Sequence, residues 1–239
     1  MDWRDEGIVL AARRHGETSA VVHVLTREHG RHGGLVRGAS GKAARGLWQP
    51  GNLLDVTWRG RLEEHLGQFT GELLDARVAG LMADRDRLAC LASVCALAEN
   101  ALPEREPHPL LFEGLRLLID ALARDDGWAP LTVRWEAALI AELGYGLDLS
   151  ECAATGATEG LAWVSPRTGR AVSAEAGVPY ADRLLPLPGF LIDAEAPTDR
   201  PAVVAGLRLT GFFLERRLFP ALGRPVPPQR ARFLDRMTG

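Results

Sequence analysis

Five short runs in the first 80 residues constrain this chain more than anything else in it: GIVLAARR, SAVVHVLTREHG, RHGGLVRGAS, GNLLDVTWRG and LGQFTGELL. Each is rich in β-branched or aromatic residues. Gly/polar breaks such as HGETS and EHGRHGG separate them, the pattern of strands joined by hairpins. Five strands in this span make a small Greek-key barrel, and the OB-fold is the commonest such barrel with a nucleic-acid habit. An SH3-like barrel has the same periodicity, so periodicity alone leaves both open.

Near residue 80 the period changes from two to between three and four. Leu88, Leu91, Cys95, Ala98 and Leu102 line one face of a helix expected over 84–102, which Pro103 and Pro107 terminate. Leu111, Leu115, Leu118 and Leu122 mark a second helix, stopped near Asp125–Gly127. A third is expected over 129–143, with Trp135, Leu139 and Leu143 on one face, ending at Gly144. Residues 145–185 lose the helical period, and GLAWVSPRTGRAVS within them reads as a hairpin with SPRTGR at its tip. A long helix at about 199–220 and a last short one at PPQRARFLDRM complete the chain. The expected fold class is α+β, with a five-stranded barrel domain at 1–80 and a helical domain at 81–239 that carries the hairpin insertion at 145–185.

The 239 residues carry a net charge of −3, but the charge is unevenly spread. Residues 11–61 hold nine cations (Arg13, Arg14, Arg27, Arg31, Arg37, Lys42, Arg45, Arg59 and Arg61) against three acids, a balance of +6, while the rest of the chain stands at −9. The stretch RHGGLVRGASGKAARGLWQPG at 31–51 has six glycines, four cations and no acid. Such a surface releases counterions from a phosphate backbone, largely regardless of base sequence, and glycines let a loop approach a polyanion closely. The nine cations are therefore the candidate DNA contacts. Trp48 and Trp58 lie beside them; barrel core is the plainer reading, and base stacking the functional one.

Other chemistry finds little support. GASGKA fails as a phosphate loop because Val36 and Ala43 occupy positions that need glycine and Ser/Thr. No GxGxxG, HExxH or GxSxG occurs, so nothing points to an enzyme. Three unspaced cysteines, Cys90, Cys95 and Cys152, form neither a disulfide framework nor a four-cysteine zinc site, and no cofactor is expected. No apolar run reaches membrane-span length, the N-terminus is unlike a signal peptide, and the expected location is the cytoplasm.

Four strings carry a family resemblance: GIVLAARRHGETSAVVHVLTREHGRHGGLVRG, LWQPGNLLDVTWR, LDLSECAATGA and WVSPRTGRAVS. Together they resemble the bacterial RecO family of DNA-repair recombination mediators, over essentially the whole chain. The resemblance implies an N-terminal OB-fold, a helical C-terminal domain, no enzymatic turnover and a place at the nucleoid. It implies binding of single- and double-stranded DNA and annealing of complementary strands coated by single-stranded-DNA-binding protein. It further implies cooperation with RecR in loading RecA. Many members carry a four-cysteine zinc ribbon; the matching positions here are Cys152, Thr155, Ser173 and Ala176, so no metal is expected. The hairpin should then be held by packing, with Trp163 and Val172.

A partner site for the acidic, apolar-ended C-terminal tail of single-stranded-DNA-binding protein is expected on the long helix, at Arg208, Phe212, Phe213, Arg216 and Arg217. The run LPLPGFL at 185–191 either packs on that helix or lines a groove for such a peptide. A reading from another class is a protein-interaction scaffold whose basic segment docks an acidic partner instead of DNA.

Overall fold

The fourteen residues Asp2–His15 form one long strand, β1, that serves two neighbours. Its first half pairs with β4 (Leu53–Arg59), from Asp2 opposite Arg59 to Ile8 opposite Leu53. Its second half pairs with β2 (Ser19–Thr26), ending at His15 opposite Ser19. A register shift between Val9 and Ala11 marks a bulge where the strand changes partners, and such a bulge bends a sheet toward closure. The remaining strands are β3 (Gly30–Val36) and β5 (Gln68–Asp75). The closed barrel runs β1-β2-β3-β5-β4, with β3 and β5 parallel through Leu35 and Gln68. A short helix, α1 (Lys42–Leu47), lies between β3 and β4. This strand order, with its parallel closure and intervening helix, is the OB topology and not the SH3-like alternative.

The barrel interior is filled by Val9, Val22, Val24, Leu54, Val56, Trp58 and Phe69, all essentially buried. Trp48 is 4% exposed and Trp58 is 0% exposed, so both are core. The Trp58 indole N–H donates to the Leu66 carbonyl at 3.1 Å, which satisfies its one polar atom.

The glycine-rich stretch 31–51 is not one flexible loop. It comprises most of β3, a turn and α1. Some of its glycines exist for packing: a Cβ on Gly34 would lie 2.3 Å from the Phe69 ring. Gly51, at φ 92°, would place one 2.9 Å from Leu91.

The structure, a computed structural model, describes residues 1–62 and 65–239 and falls into two compact units, Met1–Trp128 with Pro227–Phe233, and Ala129–Val226 with Leu234–Gly239. In the first unit the barrel is followed by α2 (Arg85–Ala101) and α3 (Pro109–Arg124). Asp84 caps α2 by accepting from the Asp86 and Arg87 amides at 2.9 and 3.1 Å. Pro109 opens α3, and Asp125 closes it in the left-handed region at φ 58°. Leu91, Cys95, Ala98 and Leu102 are buried as the α2 pattern requires, and so are Leu111, Leu115, Leu118 and Leu122 of α3. Although β gives way to α between Asp75 and Arg85, compactness groups both helices with the barrel.

The second unit takes in all but the first residue of α4 (Trp128–Ile140), which runs on through a wider turn, Ala141–Tyr145, until Gly144 breaks it at φ 86°. Next come β6 (Leu161–Val164) and β7 (Ala171–Ser173), an antiparallel hairpin with SPRTGR at its tip as expected. A one-turn helix, α5 (Ala174–Gly177), and β8 (Leu185–Pro186), paired to β6, follow. Trp163 sits opposite Val172 in the hairpin. The long helix is α6 (Arg200–Phe213), capped by Asp199 through the Ala202 amide at 2.9 Å. It continues through a wider turn at Leu214–Leu218 into α7 (Phe219–Ala221). The LPLPGFL run packs on this helix: Phe190 is buried, and Gly206 of α6 leaves room for its ring. The chain ends in α8 (Pro228–Thr238), whose first turns cluster with the first unit. Among the described residues no helix is long and apolar enough to cross a membrane.

Candidate nucleic-acid interface

The end of β1, the start of β2 and the turn leading into α1 enclose a cleft of about 730 Å³. It is lined by Arg14 and Ala12 on one side and by Lys42, Arg45 and Gly46 on the other, with Trp48 buried beneath. Ser19 and Ser40 add hydroxyls, and among the described residues no carboxylate lines the cleft. Arg14 steadies its own turn by donating from Nε to the Gly16 carbonyl at 3.1 Å. Lys42 and Arg45 are exposed. Small residues (Ala39, Ala44 and Gly46) contribute to the lining, and α1 supplies both Lys42 and Arg45.

The nine candidate DNA cations separate into groups. Arg14, Lys42 and Arg45 share the cleft. Arg37, Arg59 and Arg61 are exposed outside its lining. Arg13, Arg27 and Arg31 are held in ion pairs within the first unit. Arg31 is only 6% exposed, with Nε donating to the Leu102 carbonyl at 2.8 Å and a guanidinium nitrogen 3.2 Å from Glu104. Arg27 is ion-paired with Glu6 and Glu113 and lies over the Phe112 ring. Arg13 donates to Glu99 Oε2 at 2.8 Å, and His23 Nδ1 lies 2.6 Å from Oε1 of the same carboxylate. Burial alone would raise the Glu99 pKa; the hydrogen bonds from His23 and Arg13 override it and hold the group down to about 2.

Glu99 is the residue that sequence reasoning missed. It follows Cys95 by four positions, on the buried stripe of α2, and a carboxylate there needs partners. That misplaced acid was the available signal.

In the second unit the five expected partner residues do not form one surface. Arg208 rims a shallow groove of about 400 Å³ with Arg200, Pro201, Val204, Ala205, Met237 and Thr238. Arg200 is fixed there by donating to the Met237 and Arg236 carbonyls at 3.0 and 2.8 Å. Phe213 is 3% exposed and belongs to the core, with Phe212 edge-on to it at 5.4 Å. Arg217 donates to the carbonyls of Pro166 and Arg167 at the hairpin tip, and Arg216 is exposed.

The positions matching the family's zinc ligands do come together. The Ser173 amide donates to Cys152 Sγ at 3.2 Å, and Ser173 Oγ accepts from the Ala176 amide at 3.4 Å. Hydrogen bonding with the Ser173 hydroxyl first, then the Thr155 hydroxyl and the Ser173 amide, holds the Cys152 thiol down to about 6. One thiol, two hydroxyls and a methyl group do not make a zinc site, so the donor set does not fit the metal.

An OB barrel with an acid-free cationic cleft, joined to a helical part, defines the class as an OB-fold protein built to meet an anion. The family described as Recombination protein O N terminal matches residues 1–77, and Recombination protein O C terminal matches residues 82–225. The chain is 51% identical over 243 residues to the DNA repair protein RecO of Rhodospirillum rubrum, covering 99% of this chain and 96% of that one. It is 53% identical to the protein of the same name from Rhodospirillum centenum, covering 99% and 94% of the two chains. With that from a Ruegeria species it shares 51% identity over 98% of each. The chain belongs to the RecO family, and its work is DNA repair and recombination mediation.

Proposed function

We propose that this chain binds DNA through the cleft of Arg14, Lys42 and Arg45 and anneals complementary strands held by it. The observation that carries the reading is three cations around one acid-free cleft beside α1, in a chain whose net charge is negative. Among the described lining residues phosphates meet no repelling carboxylate, and the gain from released counterions does not depend on base sequence. Arg37, Arg59 and Arg61 extend the same cationic character over the barrel and suit both single- and double-stranded DNA. The chain acts by binding, without turnover, in the cytoplasm at the nucleoid.

Membership of the family supports a proposal for its partners. With RecR it helps load RecA onto DNA coated by single-stranded-DNA-binding protein. The groove at Arg200 and Arg208 suits that protein's acidic, apolar-ended tail, since Val204, Ala205 and Met237 supply an apolar floor between the two arginines. Arg208 therefore remains the anchor of the proposed partner site, with Phe212 and Arg216 four and eight residues further along the chain.

The test is a strand-annealing assay with complementary oligonucleotides coated by single-stranded-DNA-binding protein. The intact protein should accelerate annealing, and replacing Arg14, Lys42 and Arg45 by alanine should abolish the acceleration. Undiminished annealing by that variant would refute the cleft as the working site. A tail peptide that competes with DNA for the cleft would instead favour an acidic protein partner there.

A further inference from the structure

A second acid-free cationic pocket lies in the second unit. It measures about 180 Å³ and is lined by Gly144, Tyr145, Gly146, Arg167, Thr168, Gly169, Phe213 and Arg217. Three separate pieces of chain meet there: the turn that ends α4, where Gly144 reverses the backbone at φ 86°, the tip of the β6–β7 hairpin, and the end of α6 with the wider turn after it. Arg217 ties the hairpin tip in place through the carbonyls of Pro166 and Arg167. The Arg167 side chain is exposed. Tyr145 presents a ring that is 36% exposed beside these cations.

We propose that this pocket holds a phosphodiester of DNA, giving the second unit its own DNA contact. The inference rests on the reading of the chain as a DNA-binding protein and extends it to a second place. Two guanidiniums with no carboxylate among the described lining residues select an oxyanion. The space accommodates one phosphate group with some water. An exposed aromatic ring beside arginines is the arrangement that stacks a base next to a held phosphate. With one contact on each unit, a single chain grips two strands or two segments of one strand.

The experiment is an amide chemical-shift titration of the intact protein with short oligothymidylate, read at two sets of residues: Gly144, Gly146, Thr168 and Gly169 for the pocket, and Ala44 and Gly46 for the cleft. Saturable shifts at the pocket amides are expected, lost in Arg167→Glu and kept in Arg167→Lys, with the rest of the spectrum unchanged. Shifts confined to the cleft amides would overturn the second contact while leaving the cleft standing. No shift at either place would overturn the DNA-binding reading itself. Pocket shifts produced by an acidic peptide and not by the oligonucleotide would overturn the phosphodiester assignment.

Discussion

Arg31 Nε donates to the backbone carbonyl of Leu102 at 2.8 Å, across 71 residues of sequence. The first arginine of the cationic stretch is therefore a structural tie within the first unit, and Glu104 lies 3.2 Å from its guanidinium. Replacing Arg31 by alanine should lower stability by about 1–3 kcal/mol, because it strips a buried carbonyl of a charged donor. The salt dependence of DNA binding should not change. Denaturant unfolding and a DNA titration check both halves; an unchanged midpoint with a flatter salt slope would return Arg31 to the DNA contacts.

Trp58 gives a second separation of core from contact. Its ring is fully buried, and Gly60 and Gly67 lie against it so closely that a Cβ on either would fall 2.4 Å away. Trp58→Ala should cost about 3–5 kcal/mol, the usual range for emptying a large core site. Thermal unfolding measures it. Preserved stability with weakened single-strand affinity would mean that the ring stacks on bases instead.

The reach of the sequence can be judged at such residues. The five strands, the α2 and α3 faces and the hairpin at 161–173 follow from periodicity, because burial on one face leaves a repeating pattern. Residues 2–6 escaped as strand: Asp2, Arg4 and Glu6 face outward and hide the inward Trp3 among charges. The parallel β3–β5 closure left no local trace, since it is a pairing between distant segments. The cationic window was legible as composition, and three of its members do share a cleft. Which arginines were already engaged was not legible, because their partners Leu102, Glu99 and Glu113 are contributed by helices far along the chain. The role of Gly34 was hidden for a related reason: its small size serves the Phe69 ring, a contact made only once the barrel closes.

His32 predicts an acid weakness. It is 2% exposed among Trp3, Trp58 and Phe69, and neither ring nitrogen meets a hydrogen-bond partner among the described residues. Burial first, then the nearby Arg105 charge, push its pKa from 6.5 down to about 4, with the Glu104 charge opposing. The unfolded chain binds this proton at higher pH than the folded one, so stability falls as pH drops from about 6.5 toward 4. Unfolding midpoints across that window should decline, and less steeply in His32→Phe. Equal slopes in both proteins would show that His32 is not the sensor.

Metal content follows from Thr155, Ser173 and Ala176. The purified protein should carry no stoichiometric zinc, and a chelator should leave its unfolding midpoint unchanged. Elemental analysis checks it. Near-equimolar zinc would mean that ligands other than these positions hold a metal.

The most direct test of the central claim is the salt dependence of single-strand binding in the variant with Arg14, Lys42 and Arg45 all replaced by alanine. Each phosphate neutralised contributes about 0.7 to the slope of log affinity against log salt, so three lost contacts flatten it by about 2 units. The account predicts that flattening, similar for every base sequence, with the unfolding midpoint retained because Lys42 and Arg45 are exposed. A slope equal to that of the unaltered protein would contradict it and move the DNA contact away from the cleft.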